Sequence, residues 1–391
     1  MNAISPVLTN GNHRQMRPPE INGKGRFDMC SVNGHSTGRA AMLLGVDWGT
    51  NNSCLKGTFG GRTELAADQI VPTIVGYAKD GVVEGLLPDN ANVLFGDAAI
   101  RHRLHLNLVR PMLDGVIHDA AAARDFAHHL RNLLDVPAGT EVRAVIGMPA
   151  NADSAARESL REAVSGLFDR VILIPEPFLA ALGFRDESRL SDPDYLDPVR
   201  NSLLVDIGGG TSDLCLVQGY FPTAEEQIST AFAGDKVDAI LHEAIRRTYP
   251  DCELTPFKIR ELKERNAFVG APTAAVVVNV MVNGKLRKLD ITEHLAHACG
   301  ALLQELHTHV RRLIAHASPD SVEDLLKNII LTGGGSRIRN LDKELQRLLA
   351  AEGYEQPAVR VTGERYREFV AQGALKAARQ ARENQWQQVV K

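Results

Sequence analysis

Two aspartates carry the first chemical signal. Asp47 closes the apolar run Leu43-Leu44-Gly45-Val46 and opens the turn Trp48-Gly49-Thr50. Asp206 closes Leu203-Leu204-Val205 and opens the turn Ile207-Gly208-Gly209-Gly210-Thr211. Each turn leads into a second short strand, Ser53 to Gly57 and Asp213 to Gly219. Glycine bares the backbone amides, and successive N–H groups in such a turn form an anion-binding concavity. Gly49, Thr50, Asn51 and Asn52 in the first turn, and Gly208, Gly209, Gly210 and Thr211 in the second, are therefore candidate phosphate ligands. One copy of this pattern is weak, since hairpins use glycine and aspartate for shape alone. Two copies at strand ends point to two halves facing across a single nucleotide.

The aspartates need a cation to sit beside a polyphosphate. Like charges about 4 Å apart repel by roughly 4 kcal/mol at an effective dielectric near 20. Magnesium reverses the sign, because it takes one or two carboxylates plus phosphate oxygens and keeps several waters. Asp47 and Asp206 are accordingly the candidate Mg2+ carboxylates, acting directly or through water.

A third acid, Glu176, lies between Pro175 and Pro177 at a strand-to-helix junction. A carboxylate held there can order a water in line with a γ-phosphate. It can equally be a helix N-terminal acid favoured by the dipole, and the residues alone leave both readings open. Gly333, Gly334 and Gly335, between an apolar strand and a helix, permit close approach of a ring or sugar, with Arg337 placed to cover an adenine face. Lys263 and Glu264, on a helix of the second half, are candidates for ribose hydroxyls or simply part of a solvated face. His294 and His297, with Cys299 nearby, lack a fourth ligand and read as structural.

The elements that position these residues alternate in type. At 391 residues the chain is long enough for two lobes, and 44% hydrophobic with 24% charged residues is ordinary for a globular protein. A formal net charge of −4 gives no reason to expect nucleic acid as a partner. Five cysteines without C-x-x-C spacing suit a reduced cytoplasmic setting better than a disulfide scaffold. No apolar run approaches the ~20 residues that span a bilayer, so direct membrane insertion is not expected. Residues 1–41, polar and rich in Asn, Gly, Pro and Arg, read as a disordered N-terminal extension.

Lobe one is expected over 42–185, with a small inserted subdomain at about 70–104, where turn signals such as Pro88-Asp89-Asn90 break up short apolar segments. Asp119, and either Asp153 or Ser154, read as N-caps of amphipathic helices, with strands at 142–147 and 170–174 between and after them. Residues 186–201 read as the crossing between lobes. Lobe two follows at 186–365, with a second insert at about 234–291. There Thr255-Pro256 starts a helix, and alternating valines run up to an Asn283-Gly284 hairpin turn. A long amphipathic helix begins at Thr292, and a C-terminal helix over roughly 364–391 packs back on lobe one.

The three glycine motifs, in this order, resemble those of the actin, sugar-kinase and heat-shock ATPase superfamily over about residues 42–380. Within it, Arg110-Pro111-Met112-Leu113-Asp114-Gly115-Val116-Ile117 and Pro175-Glu176-Pro177-Phe178 resemble bacterial actins of the MreB kind. Phe268-Val269-Gly270-Ala271-Pro272-Thr273, Tyr249-Pro250 and Gly333-Gly334-Gly335-Ser336-Arg337 are similar to the actins that align magnetosomes. The resemblance implies an α/β two-lobe fold with duplicated ribonuclease-H-like cores and two inserted subdomains. It implies a cytoskeletal ATPase that polymerises with itself, meets an organelle-linked adaptor protein, and uses Glu176, Asp47 and Asp206 in hydrolysis. Trp48 departs from the small or aliphatic residue usual after the first aspartate. The competing expectations are a cell-shape or DNA-segregating filament, a monomeric heat-shock-type ATPase, and a small-molecule kinase on the same fold.

Overall fold

A computed structural model describes residues 41–60, 62 and 64–388. The expected N-terminal extension, but for its last residue, lies outside the described residues. Lobe one begins with β1 (Met42–Trp48), β2 (Asn52–Phe59) and β3 (Ala67–Pro72), an antiparallel meander. A small sheet follows from β4 (Val75–Ala78) and β5 (Val93–Phe95), with α1 (Gly96–Arg101) leading to β6 (Leu106–Val109), the strands ordered β5-β4-β6. It has its own apolar cluster of Ile74, Leu87, Leu94, Ala99 and Leu106. The insert thus starts later and ends later than the turn signals suggested, because residues 67–72 pair with β2 in the main sheet.

A two-stranded ribbon, β7 (Met112–Leu113) and β8 (Val116–Ile117), precedes α2 (Ala120–Asn132), β9 (Val142–Met148), α3 (Ser154–Val164), β10 (Arg170–Pro175) and α4 (Glu176–Phe184). Both helix caps form. The Ala122 amide donates to Asp119 at 2.8 Å, and the Ala156 amide donates to Asp153 at 2.7 Å. Such caps stabilise by about 1 kcal/mol each.

Lobe two repeats the plan with β11 (Ser202–Ile207), β12 (Ser212–Val217) and β13 (Gln227–Thr230) as the meander. Its insert contains α5 (Gly234–Thr248), α6 (Pro256–Asn266) and the hairpin β14 (Val277–Val282) and β15 (Lys285–Asp290). The hairpin turn has positive φ at both Asn283 (49°) and Gly284 (72°), the geometry this pair favours. Then come α7 (Thr292–His316), α8 (Val322–Leu326), β16 (Ile329–Thr332), α9 (Leu341–Ala351) and β17 (Val359–Val361). The two sheets share one five-strand order, β3-β2-β1-β9-β10 and β13-β12-β11-β16-β17, the first carrying one further strand beyond β10. In each, the first strand of the meander pairs in parallel with the next strand inward.

Two C-terminal expectations are corrected. The last helix is α10 (Phe369–Gln380), not a helix to the terminus: it stops at Ala381, Trp386 buries its ring, and β18 (Gln387–Gln388) pairs with β10. After Gly335 the chain makes a short 3-10 turn, and α9 begins only at Leu341, because Asn340 takes a left-handed conformation (φ 63°). Leu341, Leu345 and Leu349 then face inward.

Each lobe has its own core, around Phe126 in the first and Leu241 in the second. A third core belongs to both lobes. It joins Val145 and Ile174 of the first sheet, Leu204, Cys215 and Ile330 of the second, and the apolar faces of α4 and α10. Among the described residues no helix is long and apolar enough to cross a membrane.

Candidate functional site

The ends of β1 and β11 bring the two aspartate turns to opposite walls of one cleft of about 390 Å³. The turns touch. A Cβ on Gly210 would lie 2.5 Å from Thr50 Oγ1 and 2.8 Å from the Asp114 amide nitrogen, so only glycine fits between them. Thr50 Oγ1 in turn accepts a hydrogen bond from the Gly115 amide at 3.2 Å, which ties the first turn to the β7–β8 ribbon. The second turn is closed by the Gly208 amide donating to the Thr211 carbonyl at 2.8 Å. A Gly210→Val chain is expected to fold but to bind a fluorescent ATP analogue roughly tenfold or more weakly, since overpacking costs about 1–3 kcal/mol. Unchanged affinity in a titration would show that the turns do not need to meet.

Every candidate phosphate, metal, catalytic and adenosine residue named from the sequence lines this cleft. Asp47, Asp206 and Glu176 share it with the first turn (Gly49, Thr50, Asn51, Asn52) and the second (Gly208, Gly209, Gly210, Thr211). Gly333, Gly334, Gly335, Arg337, Lys263 and Glu264 line it as well. Lys263 is already engaged there: its ammonium lies 2.8 Å from Asp238 Oδ1 and donates to the Gly234 carbonyl at 2.8 Å. Arg337 pairs with Glu364. His294 and Cys299 stand apart, with His294 Nε2 2.8 Å from Thr248 Oγ1 and Cys299 a free, buried thiol.

Several lining residues escaped the sequence reading. Asp213 sits opposite Asp206 in the β11–β12 register, is 1% exposed, and accepts from the Ala150 amide at 2.8 Å. The trailing aspartate of the second motif was its only signal. Tyr366 and Arg367 reach the cleft from the 3-10 turn Glu364–Glu368, a segment whose spacing read as helix.

The electrostatics of the cleft floor are one-sided. Burial pushes the Asp47 carboxyl up to about 7. Burial, then the charges of Asp47 and Asp213, hold Asp206 well above the usual carboxylate range. For Glu176 burial again leads, followed by Asp47, Asp213 and Asp206. Asp213 is raised to about 6 by burial, against hydrogen bonds from Thr211, Ser229 and the Ala150 amide. None of the charges acting on Asp206 or Glu176 is positive. Among the described residues, however, no three His, Cys, Asp or Glu side chains are grouped to hold a metal by themselves. A floor short of positive charge and short of ligands fits a divalent cation that arrives with phosphate oxygens.

Above the turns a chain of ionic contacts spans the two lobes. Arg110 of lobe one donates to Asn51 and, at 2.7 Å, to Asp235 of lobe two. Arg260 donates to Asp235 at 2.8 Å and reaches back to Asn51 at 3.1 Å. Losing the Arg110 contacts by Arg110→Ala is expected to speed nucleotide release a few-fold, or about 1 kcal/mol, as suits a part-buried charge-assisted pair. Stopped-flow release of a fluorescent nucleotide reads this directly. An unchanged rate would remove the clasp from nucleotide retention.

Two sheets built on the same five-strand order, packed about a shared core and meeting at paired glycine turns over a single cleft, define an actin-like fold. The chain belongs to the MreB/Mbl protein family, whose model matches residues 62–385. The actin-like protein MamK of Paramagnetospirillum magneticum is 30% identical over 313 residues, covering 79% of this chain and 84% of that protein. A MamK double helical filament superposes with a TM-score of 0.77 at 29% identity, over 86% of this chain and 98% of that one. A non-polymerising MamK mutant bound to AMPPNP superposes with a TM-score of 0.61 at 29% identity, over 87% and 99% of the two chains.

Proposed function

We propose that this chain is a cytoskeletal ATPase. It binds ATP with Mg2+ in the interlobe cleft, polymerises in that state, and hydrolyses the nucleotide to drive filament turnover. The observation that carries the reading is the convergence of Asp47, Asp206 and Glu176 on one cavity between two facing phosphate-type turns. That its relatives include a filament and an AMPPNP-bound form supports the same reading. Gly49–Asn52 and Gly208–Thr211 hold the phosphate chain through backbone amides and the Thr50 and Thr211 hydroxyls. Asp47 and Asp206 hold the magnesium, which would neutralise charge developing on the phosphate oxygens. Glu176 accepts a hydrogen bond from the attacking water, whose oxygen bonds to Pγ as the Pγ–O bond to ADP breaks. The water's proton leaves toward the Glu176 carboxylate. Gly333–Gly335 with Arg337, Lys263 and Glu264 take the adenosine.

In the cell such a filament positions organelles such as magnetosomes through an adaptor protein, and its setting is the cytoplasm. The test is 90° light scattering with electron microscopy, with and without ATP and magnesium, alongside a phosphate-release assay. Filaments that need nucleotide, followed by phosphate release, are the expected result. A chain that sediments as a monomer with magnesium and ATP would overturn the reading.

A further inference from the structure

Trp48 is the residue that sets the first turn apart, and its indole is buried in an unusual way. The side chain is 3% exposed and its ring stacks on Phe126 of α2, with centroids 6.2 Å apart and planes inclined by 29°. Its Nε1–H finds no acceptor among the described residues. A buried donor left unpaired costs about 1–3 kcal/mol, so such groups generally bind ordered water.

Trp48 also forms part of the wall of a space with room for one water. A second cavity, about 10 Å³ and separate from the main cleft, is lined by Trp48, Gly115, Gly147, Met148, Leu160 and Glu176. That is close to the smallest volume that admits a single water. Trp48, Gly115 and Glu176 are also walls of the large cleft, so these three residues stand between the two spaces. The Glu176 side chain rests on Gly147, where an added Cβ would come within 2.9 Å of its Cγ. The small cavity therefore has two polar side chains in its wall, one a donor without a partner and the other a carboxylate.

We propose that Trp48 is a positioning residue: its indole N–H holds one water in this cavity, and that water donates to the Glu176 carboxylate from beneath. Fixed in this way, the carboxylate keeps one oxygen turned toward the main cleft. The inference rests on the water-ordering role proposed for Glu176, and Trp48 acts only through that residue.

The test has one arm that needs no nucleotide. The chain has two tryptophans, so Trp386→Phe assigns the Trp48 indole signal in deuterated, 15N-labelled protein. A magnetisation-transfer cross-peak between Trp48 Hε1 and a long-lived water is expected, and its absence overturns the proposal. In the second arm, Trp48→Phe keeps the ring and removes the donor. The hydrolysis rate is expected to fall about fivefold with KM for ATP unchanged, and no further loss should appear when Glu176→Gln is already present. Additive losses in the double variant, or a raised KM with an unchanged rate, would overturn it. The cross-peak on the parent protein decides the matter even if the phenylalanine variant does not fold. Failure of the function itself looks different: Glu176→Gln alone would then leave hydrolysis intact.

Discussion

Glu176→Gln is expected to slow phosphate release from ATP by about 10²-fold or more, the usual worth of a positioned general base. ATP-dependent assembly should persist. The substitution keeps the volume and shape of a side chain that sits at the first position of α4, behind Pro175, so packing changes little. What it removes is the capacity to accept a proton. Burial and three neighbouring carboxylates raise the Glu176 proton affinity, which makes it a stronger base than an exposed glutamate. Phosphate release followed beside light scattering separates the two events. If mutant and parent release phosphate at equal rates, Glu176 has no part in the chemistry.

The second large effect concerns stability without nucleotide. Asp47, raised to about 7, and Asp213, raised to about 6, bind protons more tightly folded than unfolded. For an acid with a raised folded pKa, stability is complete below the unfolded value near 4 and is lost as pH climbs through the folded one. A shift of about 3 units corresponds to roughly 4 kcal/mol as an upper bound. The nucleotide-free protein is therefore expected to melt several degrees lower at pH 7.5 than at pH 5. Magnesium with a non-hydrolysable ATP analogue should flatten that slope, since the cation stabilises the ionised carboxylates. On the acid side Glu368 works in the opposite sense: its bonds to Arg365 and to the buried Lys56 hold it down to about 2. Its contribution is present above the ordinary carboxylate range and disappears as pH falls toward 2. A melting temperature that does not change between pH 5 and 7.5 without ligand would contradict the picture of a strained acidic floor.

The paired turns were legible because each is local: an apolar run, an aspartate and glycines occupy one short stretch, and the stretch occurs twice. The caps at Asp119 and Asp153 were legible for the same reason. The clasp was not, since Arg110 and Asp235 are 125 residues apart and each alone looks like an ordinary surface charge. The Lys263 ion pair is likewise invisible locally, because Asp238 lies one turn into another helix. The C-terminal error has a different origin. Alanines at 377, 378 and 381 sustain a helical spacing across the end of α10 at Gln380, and only contacts further on, the burial of Trp386 and the pairing of β18 with the sheet edge, reveal the stop. Trp48 was noted as a departure, but nothing in the sequence said that its donor would be unmatched.

The core shared by the two lobes has a mechanical corollary. Because α4 and α10 are wedged between both sheets, the halves cannot part like the covers of a book without tearing apolar contacts on each side. The easier movement is a twist about these helices, and Glu176 forms the head of one of them. Any change in the angle between halves is thus geared directly to the Glu176 carboxylate in the cleft. Under the proposed function, contacts a subunit makes at its outer ends gain in this way a route to the timing of hydrolysis.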